Sequence, residues 1–204
     1  MKNYKTTIIK KYGTPVQVKR LSSTEGDLEV IETKVLLGRG STTRGNPETL
    51  ENIKSGQFLP DFGIEIGDFV ENKPHGEVYV VQSSHKEYDG SKTLSVVTVM
   101  RKCNHSFSIR RNVEEADSRG NIKIIPQTLY ADTPCSLEHI TGDLRQYEPG
   151  LSPDAKYRLY TTNIDDVEST DQINVSGMSL KVVDVDYTTY PKLAVIQLSS
   201  DIRD

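Results

Sequence analysis

The most regular alternation of apolar and polar positions in this chain runs through Asp171–Leu198. Ile173 and Val175 alternate with polar residues, Ser176-Gly177 interrupts them, and Met178, Leu180 and Val182 resume the pattern. The apolar phase then slips by one at Val183 and Val185. A slip of one residue turns side chains to the other face, as a bulge or corner does. A second turn, Tyr187–Lys192, leads to Ala194, Ile196 and Leu198. Alternation bounded by turn signals predicts three strands here.

The same reading predicts strands elsewhere. Val16, Val18 and Leu21 mark Thr14–Leu21, and Val30, Val35 and Leu37 mark Leu28–Leu37. Phe62–Val70 has strand character, and Val78–Val81 with Thr93–Arg101 form a hairpin across Asp89-Gly90. Met1–Lys11 is basic and reads as an arm or an edge strand. Tyr157–Tyr160 reads as a strand, whereas Leu137, Ile140 and Leu144 fit either a helix or a strand.

Asp68-Phe69-Val70, Gly76, Val78–Val81 and Leu94–Arg101 can be laid in order on Asp171-Gln172-Ile173, Gly177, Leu180–Val183 and Leu193–Leu198. The spacings differ only within turns, where insertions cost little. The expected fold is therefore mainly all-β, with two tandem small antiparallel barrels or sandwiches and one or two short helices. The first unit spans residues 1–111 and carries a long glycine-rich loop at 38–56. Arg110–Asn121 is polar with no apolar face, so 112–121 is expected to be a linker and 122–204 the second unit. Within the loop, Asn46-Pro47-Glu48 resembles a helix start, with Leu50 and Ile53 as its apolar pair and Ser55-Gly56 as its end.

Composition narrows the function classes. Of 204 residues, 35% are apolar, Trp is absent, and the net charge is -4. This suits two thin cores better than one thick one and gives no global attraction to nucleic acid. No apolar run approaches the roughly 20 residues that span a bilayer, so no membrane partner is expected. The N-terminus lacks the apolar core of a secretory signal, and the two cysteines are expected as reduced thiols in a cytoplasmic environment.

The candidate chemistry is thin. Gly38–Gly45 lacks the Gly-Lys-Ser/Thr ending of a phosphate loop. Cys103, His105, Cys135 and His139 have awkward spacing for zinc, and nothing in the sequence marks either thiol as activated. Asp165–Asp171 lacks the alternation of a calcium loop and reads as a solvated acidic connection. Tyr79, Tyr88, Tyr157, Tyr160, Tyr187 and Tyr190 lie in or beside strands without a basic stripe, which favours core-edge or interface positions over base stacking. No catalytic residue, metal ligand or cofactor is expected, and no enzyme activity.

Tyr157–Tyr160, Asp171–Gly177, Leu180–Val185 and Leu193–Leu198 together resemble tailed-phage head–tail connector proteins of the head-closure (stopper) or neck-adaptor class. Gly67-Asp68, Gly76 and Val78–Val81 look like a more inserted copy of the same pattern. The resemblance implies a structural virion protein, assembled in the host cytoplasm. It implies a homo-oligomeric ring, about twelvefold, that meets portal and tail proteins, closes the head and docks the tail. Packaged double-stranded DNA would pass its lumen without tight binding. Arg39, Ser41, Arg44, Asn46 and Lys54 are then the candidates for a loop lining that channel. The alternatives are a baseplate or tail-tube adaptor and an OB-like single-stranded nucleic-acid-binding module.

Overall fold

The computed structural model describes residues 4–21, 28–39, 52–116, 120–148, 150–164 and 167–201. Its chain divides into two compact units, Met1–Cys103 with Thr188–Leu193, and Asn104–Tyr187 with Ala194–Asp204. Each contains a closed barrel of six antiparallel strands.

The first unit opens with helix α1 (Tyr4–Tyr12), not with an arm or a strand. Ile9 is its one buried residue. Gly13 ends the helix: its N–H donates to the Ile9 carbonyl at 2.9 Å, and a Cβ there would lie 2.4 Å from that oxygen. The barrel then comprises β1 (Thr14–Leu21), β2 (Leu28–Arg39), β3 (Ile53–Phe58), β4 (Phe69–Asn72), β5 (Glu77–Asp89) and β6 (Lys92–Lys102). Their order around the barrel is β1-β2-β3-β6-β5-β4. The core joins Val16, Val18, Val35, Phe58, Val70, Tyr79, Val81, Val96 and Met100.

Two expectations for this unit change. Of Phe62–Val70 only Phe69 and Val70 are strand. Ile64 is nevertheless buried, so its apolar character reflects packing under the barrel rather than ladder pairing. Ile53–Gly56 belongs to β3 instead of ending a helix; an i, i+3 apolar pair does not distinguish a short helix from an isolated strand residue. Residues 46–51 of the expected helix, Asn46 and Leu50 among them, lie outside the described residues.

The second barrel comprises β7 (His105–Ala116), β8 (Ile122–His139), β9 (Tyr157–Thr162), β10 (Gln172–Val175), β11 (Met178–Asp186) and β12 (Leu193–Ser200). Helix α2 (Gly142–Tyr147) follows β8, so the ambiguous 137–144 segment is a strand and then a helix. The Thr141 hydroxyl accepts from the Leu144 N–H and caps α2. The first unit accordingly ends near Cys103 rather than at residue 111. The expected linker contains one strand of a β-hairpin, because Asn112–Ala116 pair with Ile122–Pro126. That stretch reads as polar because no core lies beneath it to impose alternation.

Read around the ring from β7, the second barrel runs β7-β8-β9-β12-β11-β10, the order of the first. The registers make the correspondence residue by residue. Val18 pairs with Val70 as Ile109 pairs with Ile173, and Val70 pairs with Tyr79 as Ile173 pairs with Leu180. A bulge follows Val81 in β5 and Val182 in β11, which places the phase slip at Val183 on a true bulge. Tyr79 thus corresponds to Leu180, one position along from the match that the apolar pattern suggests.

Candidate interaction surface

The conspicuous shared side-chain feature of the barrels is an ion pair. Arg20 at the end of β1 donates from Nε and Nη2 to the two carboxylate oxygens of Asp68, each at 2.8 Å. Arg111 in β7 does the same to Asp171, again at 2.8 Å twice. Asp68 also accepts the Glu65 N–H, and Asp171 the Glu168 N–H, at 2.8 Å in both cases. Glu65 and Glu168 complete each cluster, at 3.8 Å from Arg20 and 3.4 Å from Arg111. The hydrogen bond to Asp68, reinforced by nearby carboxylates, raises the Arg20 pKa above its usual value. Asp171 is fully buried, so the acidic connection is not uniformly solvated. These clamps tie the segment before the fourth strand of each barrel to the first strand. The aspartates align in the sequence repeat; the arginines escape it because nothing local links them to partners so distant in the chain.

The other candidate residues do not form a reactive group. His105 and Cys135 are cross-strand partners. Cys135 is buried, and burial pushes its thiol up to about 12. His139 packs edge-on against Tyr157, and Cys103 is half-buried near the end of β6. His105 Nδ1 lies 2.7 Å from Ser176 Oγ at the surface, with no carboxylate bonded to the imidazole among the described residues. Among those residues no group of three or more His, Cys, Asp or Glu could hold a metal ion. A cavity of about 500 Å³ lies beside the β11 bulge, lined by Asp154, Lys181, Val183 and Asp201 among others. The tyrosines scatter: Tyr79 and Tyr160 are buried, whereas Tyr88 is exposed. Desolvation raises the Tyr79 phenol, and its hydrogen bond to Glu77 adds to the shift.

Of the channel-loop candidates, Arg39 and Lys54 are described, and both are strand residues directly opposite each other on β2 and β3. Two cations facing across a ladder are mutually repulsive and favour an anion nearby. Ser55 Oγ donates to the Arg39 carbonyl at 3.3 Å and helps close the base of the connection. Ser41, Arg44 and Asn46 lie outside the described residues.

The exposed apolar side chains are more informative. Beyond Arg110, β7 no longer pairs with β10, and β8 meets β9 only from Ser136 onward. The intervening hairpin forms a two-stranded arm. It exposes Val113, Ile122, Ile124 and Ile125. On α1, Tyr4, Ile8 and Tyr12 are also exposed, four residues apart, and therefore share one face. The helix carries Lys5, Lys10 and Lys11 and no acidic residue. Sequence inspection passes over both features, because one resembles a polar linker and the other a basic tail.

No family model matches this chain, and no curated protein matches it significantly.

Proposed function

We propose that this chain is a structural subunit of a tailed-phage neck. It assembles into a ring between portal and tail that closes the filled head and docks the tail. The observation that carries this reading is the combination of two side-chain-filled barrels with apolar residues presented on elements outside them. Barrels filled by their own side chains serve as rigid scaffolds, and large exposed apolar groups mark surfaces that another protein covers. The sequence resemblance of the strand and turn motifs supplies the setting.

In this reading Arg39 and Lys54, the paired ends of the connection between β2 and β3, border the lumen. This basic pair attracts the phosphates of DNA, while the overall charge of -4 keeps that attraction local. The test is imaging of the purified protein alone and with virions, together with a variant in which residues 41–50 are replaced by a short glycine-serine link. Rings at the neck, and loss of DNA from heads carrying the variant, are the expected results. A ring of six at a baseplate would assign the chain to a tail adaptor instead. Salt-dependent binding of single-stranded oligonucleotides without rings would overturn the structural reading altogether.

A further inference from the structure

Two exposed apolar features of this chain are complementary in charge as well as in character. The arm alternates its side chains between two faces. Val113 and Ile125 are directly opposite on one face, where Glu115 faces Lys123. Ala116 opposite Ile122 and Glu114 opposite Ile124 occupy the other. That second face joins two isoleucines, each 66% exposed, to one carboxylate with no cation opposite it in the ladder. A two-stranded ribbon is marginal in water by itself, and this one carries its apolar residues where no layer of the barrel covers them.

The α1 stripe has the reciprocal make-up. Tyr4 and Tyr12 are 60% and 67% exposed and Ile8 is 40% exposed. Lys11 lies three residues from Ile8, and its ammonium stands over the Tyr12 ring at 5.0 Å from the centroid. Lys5, by contrast, is engaged by Glu87. The helix is anchored to its own barrel by Ile9, so the stripe is held outward rather than free to fold back.

We infer that the Ile122–Ile124 face of the arm docks on the Tyr4–Ile8–Tyr12 stripe of a second copy of this chain, with Glu114 meeting Lys11. The occupant is another copy because both halves of the contact are present on every chain and their charges are opposite. The two patches differ, so the contact is heterologous: each copy offers an arm to one neighbour and a helix to the next. Such a contact closes into a ring or runs on as a filament. The inference rests on the ring reading only for closure.

The experiment is sedimentation of the full chain over a concentration series, with exposed-site variants whose folding is checked by circular dichroism. The unmodified chain is expected to form oligomers larger than a dimer. Ile8→Glu and Ile124→Glu should each leave monomers. Mixed one to one, they should give a dimer and nothing larger, because one helix and one arm remain intact between them. Lys11→Glu or Glu114→Lys alone should weaken association by about tenfold, and the double reversal should restore it. Oligomers indifferent to these substitutions, a mixture that stays monomeric, or an unmodified chain that is monomeric at every concentration would overturn the contact. A closed ring indifferent to them would leave the neck reading standing. Filaments dependent on both patches would uphold the contact and sink that reading.

Discussion

Arg111 and Asp171 stand 60 residues apart in the chain and meet in a two-point ion pair, with both N–H···O distances 2.8 Å. The Arg111 side chain is 18% exposed and the Asp171 side chain is fully buried. Removing the arginine strands a carboxylate in the interior, which is far costlier than losing the attraction itself. Arg111→Met should lower unfolding stability by about 3 kcal/mol in urea titrations. Arg111→Met combined with Asp171→Leu should recover most of that loss. A single substitution without effect, or a double variant worse than the single, would show that the clamp is not what holds β7 to the segment before β10.

Gly56 faces the interior of the first barrel. A Cβ there would lie 2.7 Å from Thr98 Oγ1 and 2.8 Å from Met100 Cε. The methionine end can move, but the β-branched threonine is stiff. Gly56→Ala should therefore destabilise by about 1–3 kcal/mol through overpacking. Combining it with Thr98→Ala, which removes the hydroxyl that the new methyl would meet, should return part of the loss. Thermal melts of the two variants would decide it.

The two thiols should react at very different rates. Cys135 is buried, with its thiol pushed up to about 12, so almost none is thiolate at neutral pH. Cys103 is half-buried and should be alkylated first. Mass spectrometry of the native chain after iodoacetamide treatment should find label at Cys103, and label at Cys135 only after denaturation. Early labelling of Cys135 would mean that β8 opens readily.

Acid should loosen α1 from its barrel. The Lys5 ammonium, helped by the Ser95 hydroxyl, holds the Glu87 carboxyl below the usual carboxylate range. A depressed folded pKa means that this contribution is fully present above the unfolded value of about 4.5 and is lost as pH falls through the folded value. Hydrogen-exchange protection of α1 should therefore fall below about pH 4.5, after correction for intrinsic exchange. Glu87→Gln should weaken α1 at neutral pH and remove the acid step. A step that survives this substitution would place the cause elsewhere.

The fold was largely legible because most strands have one face on a core. Thr14–Leu21 matches β1 residue for residue, and the slip at Val183 is a bulge in the structure. Where that condition failed, so did the reading. Arg110–Asn121 looked like a linker because the arm has no core beneath it. Ile53–Gly56 looked like a helix end because Gly56, a strand residue, takes its place beneath Thr98 and Met100. Asp68 and Asp171 stood out through the repeat, whereas Arg20 and Arg111 did not. Their partners are set by the closure of each barrel, and local spacing carries no trace of it. The apolar stripe on α1 is too short for its period to be distinguished from chance in nine residues.

A chain with two barrels of one strand order carries a hazard during synthesis, since a strand of either copy meets a slot of matching direction in the other. The interiors differ enough to discourage that exchange. Where the first barrel has Val16, Gly56, Tyr79 and Thr98, the registers give the second Phe107, Leu159, Leu180 and Ile196. A misplaced strand would open a void at one of these positions or force a collision at the next, and either defect is penalised in a tightly packed core. The divergence of the copies thus acts as proofreading for the folding of a duplicated chain.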